Sequence, residues 1–565
     1  MRSGMWWKAL LVAALAVGPA WAIGDNEDEA VEAAQDEPDE ASATADAVFE
    51  YLTAELAAQR GDTLSAMATY QRMARELKDP AIARRAIELA IRARDFPAAL
   101  DAAALLIELE PDSQLGREIL AALVGSDNDL GKATEHAASL VKKAHKRGPL
   151  LMNLAQMFAK FQDKAAVLEA TRKIVAGYDA MPEAHYALGV AAFLANDGAT
   201  ALAEADRVLD MRPAWDQGAI LKAQVLRRTA PDKVLAFYQD FLAAHPEAIE
   251  TRLQLGRELA TDKQLAEART QFREVEKRAP KDSQAPYAVG LLSLQLEDYA
   301  EAQTAFTRAL KLGYKEPAAI YLGMGQAAEG LKRYDEAIGW YQRVDSGDWV
   351  RAQLKIATLI SREQGLEAGR AYLHRMEVKT PADRVQVVQV EAQLLRDAKQ
   401  WQATYDLLST AVKANPDSYE LLYDRAMAAE RIGKLDVLEG DLRKVIAMKP
   451  DYAHAYNALG YTLAEKTDRL AEARDLIEKA LKLSPEDPFI LDSLGWVHFR
   501  MGNMGESLRL LHQAYGTRPD PEIAAHLGEA LWKSGQPDEA RKVWKAALSE
   551  NPNHETLLSV MAKYH

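Results

Sequence analysis

Cysteine is absent from all 565 residues. Its absence excludes disulfides, cysteine nucleophiles, thiolate metal sites and cysteine-held iron–sulfur clusters. It also leaves nothing for the acylation that anchors bacterial lipoproteins through an N-terminal cysteine. Long apolar runs are missing too. Apart from a short N-terminal stretch, no segment comes near the ~20 apolar residues that cross a bilayer. An excess of positive charge is lacking: 84 acids face 69 bases, a net charge of −15. No concentrated basic footprint of a nucleic-acid binder is present. β-branched runs are few, while alanine and leucine dominate, which favours helix.

Recognisable site chemistry is equally scarce. The eleven histidines are scattered and none forms H-E-x-x-H; His554-Glu555 runs on into Thr-Leu-Leu. Asp127, Asp129 and Gly131 suggest a calcium loop but lack the third acid and the closing glutamate, so they read as a charged turn. Gly323-x-Gly325 has neither the preceding strand nor the third glycine of a dinucleotide fingerprint. Ser139-x-x-Lys142 stands without the partner boxes of penicillin-binding enzymes. No catalytic residue, metal ligand or cofactor is assigned, and the chain reads as a non-enzyme.

What is present starts with an export signal. Arg2 and Lys8 precede ten apolar residues, Ala9 to Gly18, and Ala20-Trp21-Ala22 fits a cleavage site. Residues 1–22 therefore read as a signal peptide, and a mature, non-lipidated chain as periplasmic. Residues 23–46 hold ten acids, no base and almost no bulky apolar side chain, the composition of a disordered acidic linker.

Residues 47–565 repeat with a period of about 34. After Leu527-Gly528 come Ala540, Trp544, Ala547 and Pro552; after Leu494-Gly495 come Ser507, Leu511, Ala514 and Pro519. Leu459-Gly460 leads to Ala473, Ile477, Ala480 and Pro485. Upstream, Gly189, Gly256, Gly290 and Gly325 head the same ladder. The small residue sits where two helices approach closely. The bulky one, a turn beyond the alanine, fills the gap between them. The proline stops the second helix. This is the tetratricopeptide pattern, with room for about fifteen hairpins. The expected fold is an all-α, right-handed superhelical solenoid of helix-turn-helix hairpins. It runs continuously from residue 47 and ends in a capping helix after Pro552.

In such an array the first helix of each hairpin lines a groove. The groove positions of the last three units are Asn457 and Tyr461; Asp492, Trp496 and Phe499; and Glu529 and Trp532, with Arg500 and Lys533 beside them. Aromatics flanked by charge have the composition of a binding hot spot. Packing against neighbouring helices is the competing reading of the same residues. Tyr186, Phe193 and Tyr287 hint at a second aromatic region. The carboxylate-clamp version of the fold needs Lys and Asn where Asp492, Trp496, Ala525 and Glu529 stand, and is rejected.

The segment Leu56–Asp95 and the closing stretch from Asn457 through Leu548 resemble a group of exported proteobacterial tetratricopeptide proteins. That group includes the LbcA-type adaptors of the CtpA carboxyl-terminal processing protease. The resemblance implies a periplasmic scaffold, peripheral to the outer membrane, that brings a processing protease together with peptidoglycan hydrolases. This sequence departs from the group's lipoproteins in lacking the anchoring cysteine. A periplasmic assembly factor for exopolysaccharide or outer-membrane export is the alternative, and an enzyme with an unrecognised site a third. Partners are expected to be proteins, with no nucleic acid and no membrane span in the mature chain.

Overall fold

Aspartates mark where the helices begin. The side chains of Asp62, Asp79, Asp95, Asp129, Asp163, Asp197, Asp298, Asp487 and Asp520 each accept a backbone N–H at the start of the helix that follows. Each supplies a partner for an N–H that has no carbonyl within its own helix. Prolines mark the ends. Before Pro111, Pro213, Pro246, Pro280, Pro416, Pro450, Pro485, Pro519 and Pro552 the preceding helix stops two residues earlier. Inside the hairpins the turns need a left-handed residue, supplied at Gly502 (φ 82°) and Gly535 (φ 86°) by glycine.

The computed structural model describes residues 38–125 and 128–564. Among them are thirty-two α-helices, one short 3-10 turn at Pro231–Lys233, and no strand. They form an all-α tetratricopeptide-repeat solenoid fold, in which the two helices of a hairpin, such as Ala453–Lys466 and Leu470–Leu483, pack on one another. Two compact units divide it, residues up to Leu255 and residues from Gly256. In the first, the Ala-rich helix Phe96–Leu109 buries Ala99, Leu100 and every residue from Ala102 to Ile107. Its regular pattern breaks at Arg147–Met152 and Leu154–Met157, two short helices separated at Asn153, whose side chain donates to the Pro149 carbonyl (2.8 Å).

In the second unit the marker ladder has direct steric meaning. A Cβ on Gly460 would lie 2.5 Å from Ile477, and one on Gly495 2.7 Å from Leu511. One on Gly528 would overlap the Trp544 indole. Gly323 and Gly325 face Phe306 and Tyr341 within the helix Pro317–Gly330, which is packing and not nucleotide binding. The last described helix, Glu555–Lys563, buries Leu557 and Val560. Tyr564 beyond it lies against Trp532 and Trp544, with ring centroids 5.5 and 5.9 Å apart.

The signal peptide and residues 23–37 lie outside the described residues, as does Asp127. The first described helix, Pro38–Gln59, begins inside the stretch read as linker. Proline suits a first helical turn, and an alanine-rich sequence carries a helix on. No helix among the described residues is long and apolar enough to cross a membrane.

Candidate protein-binding surface

First helices of successive hairpins lie side by side in the second unit. Ala453–Lys466 packs on Pro488–Arg500, that on Pro521–Lys533, and that on Glu555–Lys563. Their leucines and glycines (Leu459, Gly460, Leu494, Gly495, Leu527, Gly528) are buried toward the second helices. The remaining face of this layer carries the polar and aromatic side chains.

Its centre is a three-ring stack. Trp496 lies on Phe499 (4.9 Å between centroids, 19° between planes) and on His526 (4.4 Å, 25°). The Trp496 indole N–H donates to Glu465 at 3.0 Å. His526 Nδ1 is 2.9 Å from an Asp492 carboxylate oxygen, and its Nε2 is 3.4 Å from the Tyr461 hydroxyl. Tyr461 and His526 stand two hairpins apart, so the layer curves enough here for alternate hairpins to meet.

The charge on this surface is acidic. Burial opposes a charged His526, but the Asp492 carboxylate bonded to it, with Glu522 and Glu465 nearby, raises its pKa above the usual value of 6.5. Burial raises the pKa of Glu430; Arg431 and Lys466 oppose the shift, while Glu522 and Glu465 add to it. Burial, followed by the charges of Glu465, Asp492, Glu522 and Glu430, lifts the Tyr461 hydroxyl as well. Carboxylates from four hairpins thus act on one another across this face. Among the described residues no group of three or more His, Asp or Glu is placed to hold a metal ion.

The residues singled out from sequence divide into three sets. Tyr461, Phe499 and Asn457 are half-buried on the curved face, and the Asn457 Oδ1 has no hydrogen-bond partner. Asp492 and Trp496 lie on this layer of first helices but are only 6% and 8% exposed. They are not open contact residues. Each is tied to a neighbouring first helix, so they hold the surface in shape. Arg500 donates to the Ala464 carbonyl at 2.6 Å, capping the neighbouring helix.

The third set serves the end of the array. Trp532 stacks on Trp544 (6.0 Å), and the Arg541 guanidinium lies 4.8 Å from the centre of its ring. Glu529 accepts from the Tyr564 hydroxyl (2.6 Å), and Lys533 lies over the Tyr564 ring. The bulk of Trp544 beneath Gly528 directs Trp532 into this packing. Upstream, Tyr186 packs on Trp215 and Phe193 under Arg228 in the first unit, whereas Tyr287 stacks on Tyr314 in the second. They do not share one unit.

Sequence reasoning missed His526, Glu430, Glu465 and Glu522. Glu430 was within reach of the same rule: it stands four residues after Ala426, the small residue that replaces glycine one unit upstream of Gly460. His526 has no such signal, since its position on other first helices carries Ala458 and Ser493.

Family models for the tetratricopeptide repeat match residues 253–302, 287–352 and 439–488, and a second such model matches 498–564. The chain is 40% identical over 212 residues to TPR repeat-containing protein PA4667 of Pseudomonas aeruginosa, covering 37% of this chain and 36% of that protein. It thus spans about a third of that relative's length. DnaJ homolog subfamily C member 3 of Rattus norvegicus is 39% identical over 77 residues, 14% of this chain and 15% of that one. Among solved structures, a thermophilic tetratricopeptide protein of Thermus thermophilus, TTC0263, covers 32% of this chain and 96% of its own, with 23% identity and a TM-score of 0.29. MamA covers 31% of this chain and 97% of its own, with 22% identity and a TM-score of 0.25. The helical hairpins, their glycine–aromatic contacts and these family matches show tetratricopeptide repeats over residues 253–352, 439–488 and 498–564.

Proposed function

We propose that this protein is a scaffold that holds a partner protein on the curved first-helix face of its C-terminal hairpins. The observation that carries the reading is the Trp496–Phe499–His526 stack, set among Glu430, Glu465 and Glu522 from neighbouring hairpins. Rigid aromatic surface offers contact area at low entropic cost. The surrounding carboxylates favour a segment carrying basic side chains beside apolar ones. Phe499 and Tyr461 are the contact residues, while Asp492, Trp496 and Arg500 position them.

The setting we propose is the periplasm. The support is the leader-like residues 1–22 and the resemblance of both end segments to exported proteobacterial adaptors. On that reading the partners are a carboxyl-terminal processing protease and peptidoglycan hydrolases.

The test is crosslinking of the protein in envelope extracts, with mass spectrometry of what it holds. The variant Glu430→Gln/Glu522→Gln/Phe499→Ala should lose those partners while keeping its helical circular dichroism. Equal recovery by wild type and variant would refute this face as the site. Recovery of neither a protease nor a hydrolase would refute the adaptor role.

A further inference from the structure

In the second unit the first-helix face lies on the inside of a coil that meets itself. Side chains of that face touch across two hairpins, Tyr461 to His526 (3.4 Å), which puts the face on the concave side of the curve. Glu430 is the last residue but one of the helix Tyr419–Arg431, and Glu522 is the second of Pro521–Lys533. These two stand three hairpins apart, and the charge of Glu522 acts on Glu430. Lys399 follows the helix Pro381–Asp397, and Glu555 begins Glu555–Lys563, five hairpins on. The Lys399 Nζ lies 3.1 Å from a Glu555 carboxylate oxygen. At both places the C-terminal end of an earlier first helix meets the N-terminal end of a later one. The two edges of the array therefore come together, and the hairpins from Pro381 to Lys563 close round the face.

The two meeting points differ in charge. Between Glu430 and Glu522 like charges oppose closure. Between Lys399 and Glu555 opposite charges favour it. These last two side chains are 73% and 86% exposed. Water and salt screen such a pair, so it adds little to stability. A coil drawn together by so weak a pair, against carboxylates that repel, opens readily. A cationic segment lying along Glu430 and Glu522 removes the repulsion, so the closed coil is the form that binds it better.

We propose that the C-terminal hairpins form a clasp, shut at Lys399 and Glu555, that parts to admit a partner segment to the first-helix face and then closes over it. The clasp has this role only if that face is the binding surface. The chain has no cysteine, so Lys399→Cys/Glu555→Cys supplies its only two thiols. A bis-maleimide with a central disulfide ties them, each thiol adding across one maleimide double bond, and a phosphine reductant later cuts the tie. The tie should form within one chain and without any partner, read as the monomer mass and a linked pair of peptides. The probe is a peptide of alternating lysine and leucine with a small folded domain at each end, so that it enters only from the side. Its association with the tied protein, followed by stopped-flow anisotropy, should be roughly tenfold slower or more, because the opening that binding requires is blocked. Reduction should restore the untied rate. Failure to tie within one chain, or equal association before and after reduction, overturns the clasp. If Phe499→Ala/Glu430→Gln loses the probe all the same, the binding surface stands and the clasp alone falls. A probe that the untied protein ignores, or that binds Phe499→Ala/Glu430→Gln as well as wild type, overturns both.

Discussion

Substituting alanine for Gly528 and for Gly440 should change stability in opposite directions. Both glycines lie inside helices, Pro521–Lys533 and Leu435–Met448. In an unconstrained helix the substitution gains about 1 kcal/mol, because glycine loses more backbone freedom on folding than alanine does. At Gly440 nothing lies within 4 Å of the added carbon, so that gain should appear in full. At Gly528 the added carbon overlaps the Trp544 indole, which is 1% exposed and held between Trp532 and Tyr564. The ring has no free space to retreat into. Overpacking of this kind costs about 1–3 kcal/mol, leaving Gly528→Ala between neutral and about 2 kcal/mol destabilised. The two variants should therefore differ by about 1–3 kcal/mol. A repeat array unfolds in segments, so the local readout is hydrogen exchange of peptides from 521–550 and 435–448, beside a urea titration. Exchange should speed up around Gly528→Ala and slow around Gly440→Ala. If Gly528→Ala slows exchange as Gly440→Ala does, close helix approach is not what demands glycine in this ladder.

Other consequences can be measured. His526 has a raised pKa, so its bond to Asp492 contributes fully below the unfolded value of 6.5 and fades as pH rises through the folded value. His526→Gln should therefore cost most stability in mildly acidic buffer and progressively less in alkaline buffer, read by denaturation across pH. Glu439 bonds Arg469 and Arg443, which hold its pKa down at about 2 against an unperturbed 4.5. The stability it supplies is present above 4.5 and is lost as pH falls toward 2, so Glu439→Gln and wild type should converge in acid. Ending the chain at Asn551 removes Leu557, Val560 and Tyr564 from the Trp544 cluster. The shortened protein should bind a hydrophobic dye and lose exchange protection over 521–550 while its upstream hairpins stay protected.

Much of the fold was legible because repeat packing is local. Gly460, Gly495 and Gly528 are read from spacing alone, since each meets the second helix of its own hairpin at Ile477, Leu511 and Trp544. The closing prolines are read the same way, because a missing N–H acts on the chain immediately before it. The start of the first described helix was less legible. Low hydrophobicity and high charge mark a segment that cannot form a core. Around Pro38 that test conflicts with helix propensity and a favourable first turn, and the helix prevails.

The candidate site divides along the same line. By itself the sequence determined which side chains leave the first helices on the polar side, because helix periodicity fixes direction to within a fraction of a turn. Asn457, Tyr461, Asp492, Trp496, Phe499, Glu529 and Trp532 all came from that rule. Only the tertiary structure decided how deeply each is covered and by what. The Trp496 indole is closed over by Glu465 and His526 from adjacent hairpins, and Tyr461 reaches His526 across two. Trp532 is taken up by Tyr564 beyond the last hairpin. These contacts depend on how sharply successive hairpins turn. That angle is set by the summed shape of many buried side chains, and no short pattern in the sequence records it.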